Sequence, residues 1–240
     1  TYSIRLQYNK LSRHTIVQTN LDYSQTHNGI GMARFYNTLT GVTTMQPTNI
    51  NGNWQTEWMG DLAHELDKKE RWELKSSVKL TYLHSNDLVQ EAKTEVPISS
   101  MSLSTVRNFY TNASVGINYR SKPLNAGLQV QLDWQHATSQ RANFTTLNNK
   151  DIRSTFTLLA KLPWKVEIAS DITLFSRRGY ADHSMNSDEW IWNASIEKRL
   201  LKNSALSFKC SAVDLLAQRR NVERKVNAQG YTENDSRSEE

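Results

Sequence analysis

The chain has 240 residues and a formal net charge of +5, from 29 Lys and Arg against 24 Asp and Glu. Only 38% of it is hydrophobic, while Ser, Thr and Asn together number 66, and because such side chains compete with helical backbone bonds a long helical bundle is disfavoured. No apolar stretch approaches the 18 or so residues of a membrane-spanning helix, whereas a barrel strand needs only about 10 residues with alternate ones polar and stays open.

In chain order, weaker strands are expected around Tyr2 to Tyr8, Val17 to Tyr23 and Trp54 to Leu62. Strong period-two alternation, which sends successive side chains to opposite faces of a strand, begins at Trp72. There Trp72, Leu74, Val78, Leu80 and Tyr82 share one face, and Glu73, Lys75, Ser77, Lys79 and Thr81 take the other. Phe109, Ala113, Val115, Ile117 and Tyr119 oppose Tyr110, Asn112, Ser114, Gly116 and Asn118. Ala126, Leu128, Val130, Leu132 and Trp134 oppose Gly127, Gln129, Gln131, Asp133 and Gln135. Further strands follow on Ile152 to Leu162, Val166 to Leu174, Trp190 to Ile196 and Leu206 to Ala212. Short turns near Asp67 to Arg71, Ser121 to Leu124, Pro163 and Leu200 to Ser204 alternate with long polar loops. Those loops run over His84 to Ser102, Ala137 to Lys150, Arg178 to Glu189 and from Asp214 onward.

In an up-and-down meander, strict alternation puts every short turn at one end and every long loop at the other, as in outer-membrane barrels. A soluble sandwich has no reason to do so. The aromatics fit the same arrangement: Trp72, Tyr119 and Trp164 sit at short-turn ends, and Tyr82, Phe109, Trp134, Trp190 and Trp192 sit toward long-loop ends. Two such belts flanking an apolar band match a membrane with two water interfaces. The expected fold class is therefore all-β, an antiparallel up-and-down transmembrane β-barrel segment of about 10 to 12 strands, with residues 1–240 forming part of one barrel domain.

From Trp54 to the end the residues resemble the outer-membrane β-barrel family of Bacteroidetes-type bacteria, relatives of the TonB-dependent receptors. The carrying segments are GVTTMQPTNINGNW from Gly41, LDKKERWELKSSV from Leu66, LPWKVEIASDITLFSRRGY from Leu162, and NSDEWIWNASIEKRLLKNSALSFKCSAVDLLAQRRNVERKV from Asn186. The resemblance implies a Gram-negative outer membrane and a barrel of about 22 strands around a plug. It further implies nutrient uptake driven by an energy-transducing TonB complex, and a surface lipoprotein as a possible lid. The plug domain and final strand are expected to lie outside this chain, which opens at Thr1 without Met and closes on the polar Glu239 and Glu240.

Catalytic and cofactor constellations are not found. The six histidines, His14, His27, His64, His84, His136 and His183, show no HExxH or i, i+4 pair. Gly29 and Gly31 lack the third glycine and helix of a dinucleotide loop. No G-x-S-x-G frames a serine, which leaves a hydrolase triad without support. Cys210 is the single cysteine, so no intrachain disulfide or Cys cluster forms. The cations are spread rather than striped, and Arg219, Arg220, Arg224 and Lys225 lack interleaved aromatics, which argues against nucleic acid and for a loop edge. No enzyme, cofactor or metal is expected. Arg177 and Arg178, followed by Gly179 and Tyr180, stand where a strand should exit into a long loop and suit anion or ligand attraction. With Tyr110 and Trp190 they form the candidate ligand-binding set. The membrane-interface set is Trp72, Tyr82, Phe109, Tyr119, Trp134, Trp164 and Trp192. A second reading is a soluble extracellular all-β carbohydrate-binding or adhesion module, whose apolar faces would be buried in a core. A third, a glycan-acting enzyme, would need two converging carboxylates among residues such as Asp61, Glu73, Asp133, Glu167, Asp171 and Glu197.

Overall fold

A computed structural model describes residues 2–12, 14–94, 97–140, 144–181, 183–200, 206–227 and 230–237. Within these the protein is all-β, and the only helical pieces are three single 3₁₀ turns. The main sheet is an antiparallel meander of β1 (Tyr2–Ser12), β2 (Thr15–Thr26), β5 (Asn53–Glu65), β6 (Trp72–Ala92), β7 (Leu103–Arg120), β8 (Leu124–Ser139), β9 (Leu147–Leu162), β10 (Val166–Arg178), β11 (Asp188–Leu200) and β12 (Leu206–Ala212). The sheet is open, with β1 and β12 as its outer strands. Among the described residues no helix is long and apolar enough to cross a membrane, which says nothing of strands that do.

The alternating segments pair as their periodicity requires. Leu74 lies opposite Ile117, Ile117 opposite Leu128, Leu128 opposite Phe156 and Phe156 opposite Ile172, so one apolar row crosses five strands. One residue along, Lys75, Gly116, Gln129, Thr155 and Thr173 form a row on the other face. Register of this kind is self-enforcing, because a slip of one residue would exchange the two faces of an entire strand.

Three features depart from the sequence expectation. A hairpin of β3 (Gly29–Asn37) and β4 (Thr43–Ile50) stands between β2 and β5. Residues 34–37 of β3 run parallel to residues 89–92 of β6. The strands are longer than their alternation: β6 continues to Ala92 and β8 to Ser139, and β9 starts at Leu147, so the intervening loops shrink. Finally, β13 (Arg220–Asn227) and β14 (Gly230–Arg237) form a separate two-stranded sheet. Arg220, Arg224 and Lys225 therefore lie on a strand and not on a loop edge. The expected turn from Leu200 to Ser204 falls largely outside the described residues.

The buried core lies at the long-loop end. Phe35 and Ile50 of the hairpin, Val89, Val106, Ala137 and Leu147 of the strand extensions, and Met185 of the β10–β11 loop are buried. Gly31 admits the hairpin's close packing, since a Cβ there would stand 2.5 Å from Ile50 Cδ1. By contrast the apolar row through the strand bodies stays exposed, with Leu128 at 49% and Phe156 at 42%.

At the short-turn end, the β5–β6 connection is organised by Asp67, whose Oδ1 accepts from the amides of Arg71 (2.7 Å) and Trp72 (2.8 Å). These backbone donors, the Trp72 amide foremost, hold the Asp67 carboxyl below its usual range. A carboxyl whose folded value is lowered contributes stability above its unfolded value near 3.9 and loses it as pH falls through the lowered one. Asp67→Ala is expected to speed hydrogen exchange at the Arg71 and Trp72 amides at neutral pH. Unchanged exchange would remove Asp67 from this role.

Candidate functional site

The two faces of the sheet differ in curvature as well as polarity. Gln18 of β2, Asp61 of β5, Lys75 and Ser77 of β6, Ser114 and Gly116 of β7 and Gln129 of β8 all line one hollow of about 390 Å³. Neighbouring strands stand about 4.8 Å apart, so five flat strands would spread these residues over roughly 19 Å. Sharing one hollow requires the sheet to curl toward its polar face. The polar face is concave, and the exposed apolar face is convex.

Toward the long-loop end, the concave face carries a hydrogen-bonded cluster. Register places Lys79, Asn112, Asp133, Asp151 and Arg177 in one row across β6 to β10. Asp133 accepts from the Tyr110 hydroxyl (3.1 Å), from the Asn112 amide and from Gln131 Nε2 (3.2 Å). Asp151 accepts from the Tyr180 hydroxyl at 2.7 Å. Arg177 donates to Glu189 Oε1 at 2.5 Å, and the Ser187 hydroxyl donates to the same oxygen at 2.7 Å. The guanidiniums of Arg153 and Arg177 lie over the Phe175 ring, 4.9 and 5.5 Å from its centre.

This geometry divides the candidate ligand-binding set. Tyr110 is half-buried on the concave face. Arg177 and Tyr180 are there too, at 8% and 5% exposure, but their polar ends are engaged by Glu189 and Asp151 and hold the β10–β11 loop down. Gly179 completes that loop: its φ is +83°, and a Cβ would stand 2.1 Å from the Asn148 carbonyl oxygen. Arg178 is exposed and bonded to Asp188 at 2.7 Å. Trp190 faces the convex side opposite Leu174. Arg153, absent from the candidate set, is the exposed cation of this cluster, and only the register of β9 against β10 reveals it beside Phe175.

The candidate interface aromatics carried by strands stand together on the convex face. Trp72 packs against Tyr119 (4.8 Å between ring centres) at the short-turn end, and Phe109 packs against Trp134 (5.7 Å) at the long-loop end. Tyr82 meets Trp54 at 5.1 Å, and Trp54 stacks on His84, two partners outside the candidate set. Trp192 donates its indole N–H to the Ser170 hydroxyl at 3.0 Å. Trp164 stands at the tip of the β9–β10 turn, 81% exposed, and both it and Lys165 adopt left-handed φ near 60°. Left-handed backbone at two bulky residues costs about 1 to 2 kcal/mol each, where Asn and Gly would sit without strain.

One metal-compatible group occurs among the described residues, His14, Glu65 and Glu70, with His14 Nδ1 2.9 Å from Glu65 Oε2. No family model, curated protein or solved structure matches the chain.

Because Arg177 and Glu189 are both buried, removing one leaves the other charged and desolvated. Arg177→Ala is expected to destabilise the sheet by about 3 to 5 kcal/mol in denaturant titration. Arg177→Met combined with Glu189→Leu should cost less than the single variant. Equal losses would show that the pair is not the anchor.

Proposed function

We propose that the chain is the wall of an outer-membrane β-barrel receptor for nutrient uptake, its convex face against lipid and its concave face on the aqueous lumen. The observation that carries this reading is the inverted distribution of polarity on a curled sheet. Hydroxyl, amide and charged groups line the inside of the curve, and Val115, Leu128, Val130, Phe156 and Ile196 lie exposed on the outside. A soluble barrel places these sets the other way round. Large apolar side chains left half in water forgo roughly 1 kcal/mol each relative to full burial, and a contiguous band of them calls for a cover.

Dimensions support lipid as that cover. Trp72 and Tyr82 lie ten residues apart on β6, about 33 Å along a strand and about 25 Å in height at a 40° tilt. That height equals the apolar band of an outer-membrane barrel, flanked by aromatics on both sides. In this reading Trp164 spends its strained turn on an indole at the interface. The open edges at β1 and β12 would be completed by further strands, since an unpaired backbone edge is not tolerated in hydrocarbon. Uptake driven by a TonB-type complex, the Bacteroidetes-type origin and a surface lipoprotein partner are carried from the resemblance of the segments quoted above.

The test is site-directed spin labelling of the chain in detergent micelles, comparing positions 128, 130 and 132 with 129, 131 and 133. The convex set is expected to respond to a lipid-soluble relaxation agent and the concave set to a water-soluble one. If the convex set is shielded from both agents, a soluble all-β binding module replaces the membrane wall.

A further inference from the structure

The charges on the concave face are not balanced around the hollow. Among the described residues of β2, β5, β6, β7 and β8, the inward-facing lysines are already paired: Lys75 with Glu73 at 3.2 Å and Lys79 with Glu57 at 3.0 Å. Asp61 lines the hollow as an exposed carboxylate, and among the described residues its side chain has no cation within ion-pair distance and no hydrogen bond. Asp133 further along the same face is satisfied by neutral donors, which leave its charge intact. The chain is basic overall at +5, yet this part of its inner surface is acidic.

The rest of the lining defines what could neutralise Asp61. Ser77, Ser114 and Gln129 offer hydroxyl and amide oxygens that accept N–H donors. Ile16, Leu62 and Ala63 are the apolar residues of the lining besides Gly116, and they stand beside Asp61. A bare metal ion is a poor match. It needs several oxygens converging at about 2 to 2.6 Å, and one carboxylate in about 390 Å³ does not supply them.

From this we infer that the hollow at Asp61 binds a small organic ammonium ion, with the carboxylate taking its charge, the hydroxyls its remaining N–H groups, and Ile16 and Ala63 its methylenes. The inference rests on the concave face being water-filled, as the proposed function requires, and names the solute class admitted there.

The experiment compares three four-carbon probes on the whole chain in detergent micelles by isothermal titration calorimetry: 1,4-diaminobutane, uncharged 1,4-butanediol and succinate. Diaminobutane should bind about tenfold tighter than the diol or better, with the advantage shrinking as salt screens it. Succinate should not compete. Asp61→Asn, which breaks no bond in the structure, should bring diaminobutane to the level of the diol, and Asp61→Lys should reverse the preference toward succinate. Equal binding of diamine and diol, or a preference that survives Asp61→Asn, overturns the inference. The spin-label experiment keeps the two failures apart: lipid-exposed convex labels with no diamine preference sink this inference alone. Asp61-dependent binding with shielded convex labels upholds the hollow and sinks the membrane wall.

Discussion

The backbone ladder, with its fixed parity, is the constraint on which this structure depends. Each strand from β5 to β11 exchanges antiparallel hydrogen bonds with both neighbours, and every pairing preserves the same division into two faces. Because that division is set by whether a residue is odd or even along its strand, no side chain is free to choose its face. Asp133 comes to share a row with Asp151 and Arg177 for this reason, although these residues are apart in sequence. The curl of the sheet then decides what the two faces become. The one that carries hydroxyls, amides and charges closes around a hollow, and the aliphatic one spreads outward.

Packing follows from the same division. A single curled sheet has no second layer to press its apolar face against, so the strand bodies contain almost no fully buried apolar side chain. Among the described residues burial is concentrated at the long-loop end, where the β3–β4 hairpin pairs with the extension of β6. The β10–β11 loop folds back there through Tyr180, Met185 and the Arg177–Glu189 pair. The molecule thus has a small conventional core beside a broad wall. The wall is held by its ladder and, on the proposed reading, by the lipid that covers it.

What the sequence made legible follows from which face carried contrast. From Trp72 to Ala212 one face is apolar and the other polar, and the strands could be read residue by residue. The β3–β4 hairpin was not legible because it lacks that contrast. Gly29, Gly31, Ala33 and Phe35 turn inward, while Ile30, Met32 and Tyr36 on the other side are apolar as well, so the period-two signal is lost. Pro47 within β4 hides it further, since proline is an unusual strand residue tolerated at edges. The site was legible in part. Tyr110, Arg177 and Tyr180 belong to the concave cluster, but their engagement with Asp133, Glu189 and Asp151 depends on cross-strand register that no local pattern encodes. Arg153 and Asp61 were harder still. What distinguishes them is the contrast with neighbouring charges that are paired, and pairing appears only once the strands are aligned.

That contrast gives the concave wall its chemical character. An ion pair cancels most of the field of both partners, so Lys75, Lys79, Arg177 and Arg199, bonded to Glu73, Glu57, Glu189 and Glu197, add little to the potential felt by a passing solute. Neutral donors act differently, because the hydroxyl of Tyr110 and the amide of Gln131 fill the lone pairs of Asp133 without cancelling its charge. Asp171 is treated the same way by Asn193, at 2.7 Å. A concave surface with low-dielectric walls focuses such uncancelled charge into the space it encloses. Lys75 and Lys79 are therefore neutralised where they stand, so the uncancelled charge lining the hollow is that of Asp61, while toward the long-loop end the exposed Arg153 adds charge of the opposite sign.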